Sequence, residues 1–420
     1  MAKKYTVAII GIGGRGGDAY GTLMSEAPEK FDIVALCDLK PDRLALFAKR
    51  FGVAKENTFT DEKEFFEKRR ADVLVIATPD ADHIRHATYA FNVGYDVLLE
   101  KPISDKKEEL EELLNLQKKT GCKAFVCHVL RYAPAFVKIA ELLESGIIGK
   151  LVAIQALERV GHSHQAHSYV RGNWRRAEDS TPMILAKCCH DLDLLQFYAG
   201  SKCESVSSVG ELSYFKAENA PEGATERCLD CPHADGGCPY SAKRQYYTVW
   251  KEIGCPEDVW PYNIIALAPL TEEKLLTALR EGPYGRCVYH CDNNVVDHQI
   301  TQMTFENGVK ASLTMTAFTA GGGRRMDFFG THGQLTLDEK TNSIFVGVYC
   351  KDGETIALQD LTEKGYGHGG GDYHLVHTLY DILEGKVTGN TSLDRSVESH
   401  LIGIAAEESR KAGGKLIKVH

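Results

Sequence analysis

Several features are missing from this chain, and each absence closes off a class of protein. No apolar run approaches the roughly 20 residues that cross a bilayer, so a membrane is not an expected partner. No long basic run is present and the formal net charge is −9, so nucleic acid is not an expected partner either. There is no internal repeat and no low-complexity tract, which excludes a repeat array. The first apolar segment is too short for a secretory signal and is consumed by a strand, so a reducing cytoplasm is the expected compartment. The thirteen cysteines are then expected to be free, metal-bound or catalytic rather than paired in disulfides. What remains is ordinary: 43% hydrophobic and 25% charged residues over 420 positions, enough for two or three globular domains.

The chain is organised around Tyr5 to Gly17, an apolar run that breaks into glycines. Gly11, Gly13 and Gly16 form the pattern G-x-G-x-x-G, with Ile12, Gly14 and Arg15 in the same loop. The first glycine permits a tight turn out of a strand, the second admits a pyrophosphate, and the third lets the next helix pack closely. The phosphates would sit on unpaired N–H groups at the helix N-terminus. Ala19, Tyr20, Leu23, Met24 and Ala27 follow at helical spacing. Ile33 to Cys37 then reads as a buried strand ending at Asp38, whose carboxylate is placed to bind the adenosine ribose. Its charge favours NAD over NADP, while Lys40 and Arg43 keep NADP open.

Strand and helix alternate through residues 1–125. Helices are expected over Pro41–Phe51, Ala81–Val93 and Asp105–Thr120. Buried strands are expected at Asp72–Ala77, Val97–Leu99 and Ala124–Cys127. This pattern predicts an α/β domain with a doubly wound parallel sheet of the Rossmann kind, which binds ligands beyond the strands' carboxyl ends. Gly11, Asp38, Thr78, Glu100 and Lys101 all fall at such ends. Residues 126–420 change rhythm. Leu151–Val160 is strand-like, and a hairpin runs from His298–Phe305 through Asn307-Gly308 to Val309–Ala317. Phe328–Gly330, Gln334–Leu337 and Ser343–Tyr349 add short strands, predicting an α+β domain with a large open, mostly antiparallel sheet. Helices near His374–Leu383 and Ser396–Ala412 are expected to pack back on the first domain. Residues 216–292 read as an irregular insertion rich in Cys, Pro and Gly.

Thr78-Pro79-Asp80, then His83, His86 and Gly94, then Glu100-Lys101-Pro102, follow the glycines at set distances. Together they resemble the Gfo/Idh/MocA oxidoreductase family, which includes glucose–fructose oxidoreductase and inositol dehydrogenase. The resemblance covers nearly the whole chain and implies the same two-domain fold. It implies NAD or NADP as cofactor, with Thr78, Pro79, His83, Glu100 and Lys101 on the cofactor side. It also implies a sugar, cyclitol or sugar derivative as substrate. The family's Glu-Lys-Pro lysine reaches the active site, which places Lys101 there. Chemistry agrees: an ammonium beside a carbinol oxygen stabilises the alkoxide that develops as hydride leaves.

The second expected catalytic stretch is Pro182 to Asp193. Relatives usually carry an Asp four residues before a His and an acid three after it. Here His190 and Asp193 fit, but Ala186 stands where the Asp would be, with Lys187 next. His190 is therefore expected to be the general acid/base, with Lys101 and Lys187 polarising the substrate oxygen. Asp193 joins the substrate-side candidates. His128, Arg131 and Tyr132 either bind sugar hydroxyls or make an interdomain contact. His162, His164 and His167, beside Trp174 and Arg175, suggest pocket hydrogen bonds, with a zinc reading as the lesser alternative. The loop Tyr366 to Asp372 either folds over the sugar with His368 inward or is a plain flexible loop.

Cys228-x-x-Cys231 and Cys238 lie in the insertion, followed by Cys255, Cys287 and Cys291. Two thiolates from one turn can clamp a metal, and a structural zinc would staple a segment with little core. The expected ligands are Cys228, Cys231, Cys238 and Cys287. Cys255 or Cys291 are alternatives for the fourth, and His233 and His290 stay open. An iron–sulfur cluster or free thiols are the other readings. The expected function is an NAD(P)-dependent carbohydrate or cyclitol oxidoreductase, as a homodimer or homotetramer. The rivals are a redox-neutral NAD-dependent glycosidase or lyase and a cofactor-binding regulator.

Overall fold

The protein is described from a computed structural model that covers residues 3–361 and 367–420. Six strands form a wholly parallel sheet: β1 (Tyr5–Ile10), β2 (Phe31–Cys37), β3 (Thr58–Phe59), β4 (Val73–Ile76), β5 (Asp96–Leu99) and β6 (Ala124–Val126). Their order is 3-2-1-4-5-6. The chain winds outward from β1 in one direction, then crosses back to β4. The crevice between the ends of β1 and β4 is thus the switch point where such sheets bind ligands. Alternate side chains of β1 enter different cores. Val7 and Ile9 pack with Leu375, Val376 and Leu379, whereas Ala8 and Ile10 pack with Leu110, Leu113 and Leu393. Both faces are covered, which is why the strand reads as an unbroken apolar run.

The helix Pro41–Phe51 starts with proline in its first turn and ends at Gly52 in the left-handed region, as helix capping favours. The segment after the glycines departs from expectation. It runs as a π-helix over Gly14–Gly21, becomes α-helical only for Thr22–Ser25, and leaves Ala27 outside. The backbone of its first turn is pressed onto the end of β1, and such widened turns recur at functional sites.

Nine strands build the second sheet: β7 (Leu151–Arg159), β8 (Cys203–Glu211), β9 (His298–Phe305), β10 (Lys310–Thr316), β11 (Gly323–Gly330), β12 (Gly333–Asp338), β13 (Ser343–Val348), β14 (Glu354–Ala357) and β15 (Ile417–Lys418). The order is 14-13-12-11-7-10-9-8-15. Only β7 and β10 pair in parallel; every other pair is antiparallel. The helix Cys189–Ala199 covers the inner face. The helix Leu393–Lys411 serves both lobes: Leu393 and Val397 enter the first core, and Ile402, Ala405 and Ala406 enter the second. The helix Gly371–Leu383 lies on the parallel sheet. The outer face of the large sheet exposes Val152, Val209, Ile300, Phe329 and Phe345.

Residues 212–297 leave the sheet between the neighbouring strands β8 and β9. This segment has more core than its composition suggests. Tyr246, Trp250, Tyr262, Leu275, Leu279 and Tyr284 form a cluster of their own, with Leu275 and Leu279 on the helix Glu272–Glu281. Its aromatic residues are too irregularly spaced to show a period, so sequence patterning misses the cluster.

Candidate active site at the strand ends

The glycine turn is shaped by close contact. Gly11 has φ +83°, and a Cβ there would lie 2.6 Å from backbone atoms of Ala77 and Thr78. A Cβ on Gly16 would lie 2.1 Å from the Gly11 carbonyl oxygen. Gly13 is different: among the described residues, a Cβ there would meet nothing nearer than Arg43 Nη1 at 3.7 Å. The outer side of the loop is therefore open where a pyrophosphate would rest, and the residues present fit a dinucleotide. The insertion comes close beside it, with Ile264 Cδ1 3.4 Å from the Cβ position of Gly14. Asp38 is already set, accepting from Ile12 N (2.8 Å) and Lys40 N (2.9 Å), with Arg43 3.8 Å away.

Arg15 turns inward rather than toward the open side of the loop. Its guanidinium donates to Glu100 Oε1 (2.8 Å) and to both oxygens of Asp372 (2.7 and 2.9 Å). Burial opposes the Glu100 charge, but Arg15 and Lys101 outweigh it and hold the carboxyl below its usual range. His83 spans the carbonyls of Thr78 (2.9 Å) and Pro102 (2.6 Å), tying together the loops after β4 and β5. Pro79 precedes Asp80, whose carboxylate accepts from Trp174 Nε1 (3.1 Å) and Thr181 Oγ1 (3.0 Å).

Lys101 projects from the end of β5 and donates to the carbonyl oxygen of Ala186 at 3.0 Å. The lysine thus meets the position where the family's Asp would stand. His190 lies on the helix that follows. Burial, then the positive charge of Lys101, pushes His190 well below the ordinary histidine range, so it is neutral at neutral pH. Its Nδ1 has no partner among the described residues. Lys187 is held by Glu158 Oε1 (3.0 Å), whose Oε2 meets Arg324 (3.0 Å), which also pairs with Asp191 (2.9 Å). Burial, with Glu158 beside it, pushes Asp191 up to about 6 against the pull of Arg324.

The remaining candidates are distributed unevenly. Arg131 is spent on Asp193 (2.6 and 3.1 Å) and packs over Phe197, so the pair fastens one helix to the loop after β6. Tyr132 bonds Thr391 (2.9 Å), and Arg175 forks onto Asp292 (2.8 and 3.1 Å). These four residues answer partners within the protein. His164 lies edge-on to Trp260 of the insertion, and its pKa is pushed well down by burial and then Lys187. His167 stacks on Tyr284 and also lies edge-on to Trp260, while His162 contacts Tyr240, and among the described residues the three do not gather their ring nitrogens into one ligand group. His128 is buried beside Asp193, with neither ring nitrogen hydrogen-bonded among the described residues. His368 is present with Nδ1 on Asp372; Tyr366, named with the same loop, lies outside the described residues.

Cys228, Cys231, Cys238 and Cys287 line one small cavity, together with His233 and Tyr240. Cys255 is exposed, and Cys291 Sγ donates to the Cys287 carbonyl (3.2 Å). Among the described residues, only His128, Cys189 and His400 bring three ligand atoms within 4.8 Å of one another, so the insertion's thiols are not drawn into a closed site. That trio suits a cation poorly: His400 Nε2 already accepts from Ile103 N (2.8 Å), and Lys101 and Arg131 stand nearby.

Glu158, Arg324, Asp372 and His400 were not singled out from sequence. Glu158 and Arg324 did leave a signal, since each takes the core-facing phase of its strand, beside Ala156 and Met326 respectively. Asp372 and His400 left none, because the partners that tie them to the site, Arg15 and the Ile103 amide, lie far away in the chain.

The fold and its strand-end crevice define a dinucleotide-binding oxidoreductase of two lobes. Residues 5–128 match a family model described as the oxidoreductase family's NAD-binding Rossmann fold, and residues 140–419 match that family's C-terminal alpha/beta domain. The chain belongs to the Gfo/Idh/MocA oxidoreductase family. It is 24% identical over 396 residues to the putative oxidoreductase YteT of Bacillus subtilis, covering 88% of this chain and 89% of that one. It is 24% identical over 212 residues to the inositol 2-dehydrogenase of Rubrobacter xylanophilus, covering 49% of this chain and 55% of that one. Levoglucosan dehydrogenase in complex with NADH and L-sorbose has the same fold, with TM-score 0.72, 18% identity and 100% of both chains covered. Among the described residues no helix is long and apolar enough to cross a membrane.

Proposed function

We propose that this chain transfers a hydride between NAD and a hydroxyl-bearing carbon of a sugar, cyclitol or sugar derivative. The observation that carries the reading is Lys101, set at the end of β5 on the Ala186 carbonyl and the strongest charged influence on buried His190. A bound nicotinamide would supply the hydride acceptor. Lys101 would steady the developing alkoxide, and neutral His190 would take the hydroxyl proton. Lys187, Glu158 and Arg324 would present polar groups to the substrate's other hydroxyls. The dehydrogenases among the relatives support this substrate class. The test is incubation with NAD and a panel of sugars, cyclitols and glycosides, following both NADH and products. NADH growth with one class is expected; glycoside cleavage without NADH growth would replace this reading with the redox-neutral one.

Asp38 is expected to select the cofactor. Asp38→Ala should weaken NAD by about tenfold or more, from lost charge-assisted hydrogen bonds, and NADP far less; equal losses by titration calorimetry would remove that role. The exposed apolar face of the large sheet supports association through it, so a homodimer or homotetramer is expected in sedimentation, and Val209→Lys with Ile300→Lys should yield monomers. The shared cavity of the four cysteines supports a structural zinc that would draw the thiols together on binding. Elemental analysis should find about one zinc per chain, as a four-thiolate site requires; folded protein without metal would reject it.

A further inference from the structure

Four histidines stand in file across the site. The ring centroids of His368 and His190 are 5.9 Å apart, those of His190 and His128 6.1 Å, and those of His128 and His400 5.8 Å. They come from four separate parts of the chain: the loop before the helix Gly371–Leu383, the helix Cys189–Ala199, the loop after β6 and the helix Leu393–Lys411.

The file has one closed end. His400 donates from Nδ1 to the Ser396 carbonyl (2.8 Å) and accepts at Nε2 from Ile103 N (2.8 Å), so both its nitrogens are taken. His400 and His128 are fully buried. At the other end, the side chain of His368 is 37% exposed. Its Nδ1 lies 3.1 Å from Asp372 Oδ2, which directs the N–H toward the carboxylate and leaves the Nε2 lone pair available. Asp372 is in turn gripped by Arg15 of the glycine loop. His368 and the next two residues have φ of +52°, +62° and +92°, a left-handed run that a non-glycine residue adopts only when its surroundings hold it there. The charged and titratable groups that face His368 are Asp372, with Arg15 behind it, and His190.

We infer that His368 is the relay through which the reaction's proton passes from His190 to solvent, with Asp372 and Arg15 as its positioning residues. The inference rests on the proposed hydride transfer. As the carbinol carbon gives its hydride to the nicotinamide, the hydroxyl proton moves to His190. The imidazolium so formed passes a proton through one bridging water to His368 Nε2, and His368 releases it to bulk water. Both histidines end neutral, and no further oxidant or reductant is needed. This route serves a chain in which the residue that meets Lys101, four positions before His190, is alanine and offers no carboxylate. It also gives a reason for the inward turn of an arginine inside the glycine loop: it fixes the base's partner.

The experiment compares wild type with His368→Ala and His368→Gln, using whichever carbohydrate the wild type oxidises. The expected result is a fall in kcat of about tenfold or more, the lower part of the general acid–base range. KM and NAD affinity should change by less than about twofold, and imidazole added to His368→Ala should restore kcat with a dependence on the pKa of the added base. Asp372→Asn should lower kcat in the same direction by disordering the tautomer. Unchanged kcat in both His368 variants would overturn the relay. So would a loss that imidazole does not repair and that tracks cofactor affinity or melting temperature, since that is a structural effect. A wild type that oxidises no carbohydrate would instead overturn the function on which the relay rests.

Discussion

Replacing Lys101 with Met should lower kcat by about a thousandfold, within the range for losing a charge that stabilises a developing alkoxide, while NAD affinity changes little. Methionine keeps the length and most of the volume of the side chain, so the wall of the crevice is retained. What goes is the ammonium and its 3.0 Å hydrogen bond to the Ala186 carbonyl. That carbonyl loses a donor, at a stability loss of about 1 kcal/mol, which a melting curve separates from the catalytic effect. Under the proposed function the cofactor would be held elsewhere, by the glycine loop and Asp38. The readouts are kcat with the best carbohydrate and NAD binding by calorimetry. Turnover within a few-fold of wild type would take Lys101 out of the mechanism. A parallel collapse of NAD affinity would make it a cofactor residue instead.

The Gly11→Ala variant should bind NAD at least about a hundredfold more weakly and melt several degrees lower. The left-handed φ of +83° costs an alanine about 1 kcal/mol, and the added methyl would sit 2.6 Å from Ala77 and Thr78 backbone atoms. Those atoms cannot retreat cheaply, because Ala77 N donates to Ile10 O at 2.9 Å and the β1–β4 ladder ends there. Overpacking of this kind adds about 1–3 kcal/mol. Gly52→Ala is the control. Its φ is +72° but nothing lies within 4 Å of the Cβ position, so it tests backbone strain alone and should leave NAD binding intact. Wild-type NAD affinity in Gly11→Ala would mean that the turn is not the cofactor's seat.

Much of the fold was legible because its signals are local. The helix Pro41–Phe51 is legible to the residue in the periodic apolar face of Leu44, Phe47, Ala48 and Phe51. The hairpin at Asn307-Gly308 was read from its turn and its period of two. β8 was overlooked because serines occupy much of it and blur the alternation, and the two-residue β15 is too short to show a period. The π-helical start after the glycines was not legible, since Gly16, Gly17 and Gly21 press on Gly11, Phe47 and Phe51, contacts that the spacing within Gly14–Gly21 does not show.

Within the candidate site the division is sharper. Lys101, His190 and the glycine turn each sit in a short motif whose chemistry can be argued from neighbours in the chain. The partners that decide what such residues can do come from elsewhere: Ala186 for Lys101, Glu158 for Lys187, and Asp372 for Arg15. Arg131, Tyr132 and Asp193 are plausible substrate contacts in sequence, yet in the structure they are satisfied by one another or by Thr391. A sequence states which groups a chain owns and how each segment is inclined to fold. Which charge is free and which is already paired depends on distances between residues as far apart as Arg15 and Asp372, and only tertiary packing sets those.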